Sequence, residues 1–95
     1  MTKKLYEKLH NEMLDKIEKI KKLRAQARAE NYKADGATDA DTAEKHYNAA
    51  DALWAQADVL HEEVHDVVEN AYYEVPFAKA RDQGKAAFWS LAGIM

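Results

Sequence analysis

The chain has 95 residues, no cysteine, three glycines and one proline, and 33% of its residues are charged for a net charge of −3. That length suits one domain with a modest core. The missing cysteines exclude disulfide frameworks and thiolate metal sites, the small net charge excludes a global field for nucleic acid, and the abundance of Ala, Lys, Glu and Leu over Gly and Pro points to an all-α fold.

Two features concern location. Met1-Thr2-Lys3-Lys4 is followed by Glu7, Lys8 and Glu12 rather than by the apolar core of a signal peptide. No apolar run approaches the roughly 20 residues that span a bilayer. A cytoplasmic protein that does not enter the membrane is expected.

The first element is a helix over residues 3–34. Leu5, Leu9, Met13, Ile17, Ile20, Leu23 and Ala27 recur with a mean step of about 3.7, the period of an amphipathic helix. Glu12–Lys16, Asp15–Lys19 and Glu18–Lys22 are spaced to pair along its polar face. Residues 35–38 form a turn, with Gly36 expected to take the left-handed conformation that ends a helix.

The second helix is expected over 39–74. Thr38 with Asp41, or Asp41 with Glu44, has capping-box spacing. Its apolar arc is wide, about 160° on a helical wheel. Leu53, Leu60, Val64, Val67, Val68 and Ala71 lie on one side, and Tyr47, Ala50, Trp54, Ala57 and Tyr72 on the other. Such an arc calls for two neighbours. Pro76 then starts a third helix, 77–92, with an apolar stripe of Phe77, Ala80, Gly84, Phe88, Leu91 and Met95. Ala80 and Gly84 are small enough to admit a close neighbour.

Residues 1–34 hold ten Lys/Arg against five Asp/Glu, and residues 35–95 hold four against twelve. A basic helix, a tight turn and an acidic helix describe a long antiparallel hairpin whose arms attract. Each arm would run roughly 45–55 Å. A shorter third helix leaves apolar surface at the far end, so an oligomeric helical bundle is expected.

Several constellations bear on function. His61-Glu62-Glu63-Val64-His65 matches H-E-x-x-H, which in zinc proteases sets two imidazoles on one helical face beside a general base. A protease of that kind needs a third ligand and a cleft-building sheet, and the chain offers Val68 and Ala71 where a continued motif would want Gly and His. Glu7–His10 and Glu62–His65 are both E-x-x-H, the spacing with which di-iron bundles present a carboxylate and an imidazole. In size, and in carrying Glu62 and His65 on its second helix, the chain resembles the half-ferritins of encapsulin compartments. The resemblance implies a metal oxidase or store assembled across subunits, with Glu62, His65 and His61 as ligands and Glu12 or Glu30 as a bridging carboxylate.

Lys16 and the run from Lys19 to Arg28 supply a phosphate-binding charge, but acids interrupt it and no stacking aromatic or recognition motif accompanies it. Nucleic-acid binding through this helix is an alternative reading. Glu44, Asp51, Asp58, Glu62 and Glu69 fall within about 40° on the wheel of the second helix, with Asp66 nearby. That stripe can dock a basic protein surface or pair with the first helix's lysines. Trp89 sits opposite the Phe77–Phe88–Met95 stripe and reads as an outward interface anchor.

No cofactor motif, metal requirement or nucleophile arrangement is present, and Ser90 is the lone serine. The expected function is therefore non-catalytic: a helical module that binds a protein with a basic surface through Asp51, Asp58, Glu62, Asp66, Glu69 and Trp89, and that self-associates. In size, Ala-rich helices and lack of catalytic residues it resembles small phage- or mobile-element-encoded inhibitors, including anti-CRISPR and other anti-defence proteins.

Overall fold

The computed structural model describes residues 2–94, which form three α-helices: α1 Thr2–Asp35, α2 Ala40–Tyr73 and α3 Ala78–Ala92. α1 and α2 pack as an antiparallel hairpin, and α3 folds back along the half that holds the start of α1 and the end of α2. The molecule measures 55 × 22 × 17 Å.

The hairpin seam changes character along its length. In the half covered by α3, Leu9, Ile17 and Ile20 meet Val64, Val68 and Tyr72, with Phe88, Ala92 and Ile94 closing the core. Towards the turn the buried residues are Ala27 and Ala34 on α1 and Ala50 and Ala57 on α2. Each pair is one heptad apart, so a ridge of methyl groups lets the two helices approach closely where no third helix covers them.

The turn closes differently from expectation. Gly36 is not left-handed; among the described residues only Gly93 has a positive φ, 70°. α1 ends through Gly36 N–H to Tyr32 O at 3.2 Å and Ala37 N–H to Ala34 O at 3.1 Å, the tightened last turn that satisfies carbonyls without a left-handed residue. The left-handed cap belongs instead to α3, where Gly93 donates to Trp89 O at 3.0 Å. The cap of α2 is Asp39 rather than Thr38 or Asp41. It is the last extended residue before the helix, and its carboxylate accepts from Thr42 N at 2.7 Å and Thr42 Oγ1 at 3.0 Å. These bonds hold the Asp39 carboxyl below its usual range.

Charge attraction contributes little to the hairpin. Among the described residues one lysine–carboxylate pair joins α1 to α2, Lys16–Glu63 at 2.9 Å. Near the turn His46 Nδ1 lies 2.6 Å from Glu30, and Tyr47 donates to Asp35 at 2.6 Å. The expected pairs Glu12–Lys16, Asp15–Lys19 and Glu18–Lys22 are replaced by Lys8–Glu12, Glu18–Lys21 and Glu30–Lys33. Exposed side chains gain so little from pairing that their partners are decided by small differences in rotamer energy. Burial of the apolar seam is what holds the arms together.

α2 ends at Tyr73, and Pro76 separates it from a distinct α3. The buried face of α3 is Gly84, Phe88 and Ala92, with Ile94 beyond it. Phe77 precedes the helix as its N-cap and is exposed, Leu91 is also exposed, and Met95 lies outside the described residues. The buried face advances in steps of four, the i±4 row of the α3 surface. Gly84 has a specific reason to be glycine. A Cβ there would overlap Cε1 of the Tyr72 ring and sit 2.9 Å from Cδ1, so the ring occupies the space a side chain would need.

Candidate functional site

α2 carries the charged face. Asp51, Asp58, Glu62 and Asp66 are exposed along it, with Glu44 near its start. Among the described residues no cation pairs with Glu44, Asp51, Asp58 or Glu62, and Asp66 has only His65 at 3.9 Å. Among the described residues no lysine of α1 lies within ion-pair distance of these acids; Lys16 takes Glu63, which belongs to another side of the helix. Glu69 is different. Lys85 of α3 donates to it at 2.7 Å and holds its carboxyl below the ordinary range, so this carboxylate helps fix α3. The stripe thus divides into a free upper part and a lower residue engaged with α3.

Trp89 faces α2 rather than solvent. Its indole stacks on His61 at 4.9 Å between ring centroids and on His65 at 6.4 Å, and meets Phe88 edge to face at 5.1 Å. The core therefore takes both Phe88 and Trp89. Phe88 fills the seam, while Trp89 lies over the rings of α2 one residue further round α3. Burial, with Arg24 and His65 nearby, lowers the pKa of His61 below its usual value.

These contacts also bear on metal. His61 and His65 present their ring faces to Trp89, and His65 turns its nitrogens toward Asp66 and Glu69. Glu30 is taken by His46 and Glu12 lies beside Lys8. Among the described residues no three His, Asp or Glu side chains converge on a point that could hold a metal ion, so Glu62, His61 and His65 form no such group within one chain. Among the described residues the two E-x-x-H segments join in no such group.

The basic residues of α1 face two directions. Arg24 donates to Ile94 O at 2.8 Å and lies 6.0 Å from the Trp54 ring centroid, tying α1 to the end of α3. Lys21 and Arg28 flank the same spot. On the other side, Lys19, Lys22, Leu23 and Gln26 of α1 and Gln56, Val59 and Leu60 of α2 line an open groove of about 580 Å³. Sequence reasoning passed over this groove. Its one visible signal was Val59, an apolar residue outside the arc of α2, which stands 61% exposed. Among the described residues no helix is long and apolar enough to cross a membrane.

No family model, curated protein or solved structure matches the chain.

Proposed function

We propose that the chain is a non-catalytic helical module that docks on the basic surface of a partner protein through the free acids of α2. One observation carries this reading: Asp51, Asp58 and Glu62 are exposed on one stiff helix, and no cation of the described residues answers them. A row of like charges left unpaired repels itself slightly, and it attracts a row of opposite charge over a distance of about a Debye length, roughly 8 Å at physiological salt. Such a surface steers encounter and sets orientation, and apolar contact around it supplies affinity. Occupying a basic surface also denies it to other ligands, which is how a small inhibitor protein would act.

The test is capture from a lysate of the native source by the immobilised chain, compared with Asp58→Lys/Glu62→Lys. The expected result is a basic protein held by the first and lost by the second, with retention falling as salt rises and the melting temperature unchanged. Equal capture by the reversed stripe refutes the reading. Unfolding of the variant assigns the acids to stability instead.

A further inference from the structure

The hairpin has a groove on each side of its seam. α3 fills one of them, with Phe88 in the seam and Lys85 donating to Glu69 at the edge. Arg24 and His61 point to that side, where they meet Ile94 and Trp89. Their chain neighbours Leu23 and Leu60 line the other groove, which is open. Both leucines are half-buried on its floor, and Val59 stands 61% exposed beside them. The two rims differ. The α1 rim carries Lys19, Lys22 and Gln26, whereas the α2 rim carries Gln56 and Val59 and no charge. Neither lysine has a carboxylate partner among the described residues, although Asp15 and Glu18 are spaced to provide one. Asp58 and Glu62 do not line this groove, so it is a surface separate from the acids of α2.

We propose that this groove is a docking site for an amphipathic helix of another protein, one whose apolar stripe carries carboxylates along a single flank. A helix laid between two helices sets apolar side chains into their groove at one-turn spacing and leaves its polar flanks over the rims. α3 follows that plan on the filled side, where the cation Lys85 on its flank answers Glu69 of the rim. The open side repeats the plan with the charge reversed: an apolar floor of Leu23, Leu60 and Val59, and a rim of unanswered cations. Lys19 and Lys22 are three residues apart, so they stand about one turn apart and match carboxylates with the same spacing on the occupant. The uncharged α2 rim asks nothing of the other flank, so the acids alone set how the occupant is turned about its axis. Residues 19–26 cover about 10 Å of α1, so about two turns of the occupant make contact. An area of that size suits a transient partner rather than a permanent one.

The experiment is fluorescence anisotropy with two labelled, Ala-rich peptides of about 18 residues, long enough to be partly helical in water. Both carry Leu at one-turn spacing; one has Glu along one flank of that stripe, and the other has Gln at the same positions. The wild type is expected to bind the Glu peptide about 5-fold more tightly, the worth of two exposed charge pairs, with the preference shrinking as salt rises. Lys19→Glu/Lys22→Glu is expected to favour the Gln peptide instead, and Val59→Ser, at an exposed position, to weaken both. No binding of either peptide, equal binding of the two, or a preference that survives the lysine reversal overturns the proposal. Should the reversed variant melt early, Lys19→Gln/Lys22→Gln takes its place and is expected to abolish the preference; a retained preference overturns the proposal equally. Light scattering of the wild type alone tests a rival occupant: a dimer that Val59→Ser splits gives the groove to a second copy and overturns the proposal. Asp58→Asn/Glu62→Gln is expected to keep the peptide preference, and its loss there would trace the preference to those acids and overturn the proposal. The groove and the docking of the α2 acids can therefore fail separately.

Discussion

Gly84→Ala tests the packing of α3 most directly. In an exposed helix interior the change would stabilise by roughly 0.5–1 kcal/mol, because alanine loses less backbone freedom than glycine. Here the new Cβ overlaps Cε1 of Tyr72 and lies 2.9 Å from Cδ1 and 3.0 Å from Cζ, well inside the roughly 3.5–4.0 Å of carbon contact. The Tyr72 ring is fully buried and cannot swing into solvent, so α3 must shift outward. Overpacking of this kind costs about 1–3 kcal/mol; with the overlap at Cε1 placing it toward the upper end and the helix-propensity gain subtracted, the net destabilisation is about 1–2.5 kcal/mol. At about 4–8 °C per kcal/mol for a domain of this size, the midpoint should fall by several degrees. The assay is urea unfolding followed by helical circular dichroism, read as a change in midpoint at constant slope. A second background isolates the cause. Tyr72→Leu deletes the ring atoms that crowd the site, so Gly84→Ala should become neutral or stabilising there, with a coupling energy of about 1–3 kcal/mol. Equal effects of Gly84→Ala in both backgrounds, or a wild-type stability for the single variant, would refute the reasoning.

The other glycines should behave in opposite ways. Gly36→Ala, where φ is not positive and the nearest atoms lie at 3.7 Å, should stabilise by about 0.4–1 kcal/mol, while Gly93→Ala, forced into the left-handed region, should lose about 1 kcal/mol; thermal melts of the two decide it. Asp39→Ala removes the cap of α2 and should cost about 1 kcal/mol, whereas Thr38→Ala should be nearly silent. His61 titrates below its usual value because it is partly buried, so the unfolded chain binds the proton more readily than the native one. Its contribution is present above the unfolded value and is lost as pH falls through the folded value. Between about pH 7 and about pH 5 the wild type should therefore lose more melting temperature than His61→Gln. Equal slopes would mean that attraction of the imidazolium to the Trp89 face offsets the cost of burial.

The helices and their order were legible because a helical period is written into consecutive residues. Leu9, Ile17, Ile20 and Ala27 mark the face of α1 without reference to anything else, and Pro76 divides α2 from α3 by its own covalent structure. The small size of Gly84 also spoke for a close neighbour, though not for which ring would fill the space. The free acids of α2 were visible as a stripe, but nothing local shows whether a lysine of α1 will meet them.

Tertiary structure decided everything that depends on how one element faces another. Lys16 chose Glu63 over Glu12, the left-handed cap fell to Gly93 rather than Gly36, and Trp89 turned from solvent onto His61 and His65. The placing of Trp89 depends on a surface that exists only once α2 and α3 have met, and the pairing of Lys16 lies between alternatives about 1 kcal/mol apart or less. The apolar seam, worth several times that in buried area, sets the positions of the helices first. Pairing, capping and the open groove beside Val59 are consequences of where the helices then stand.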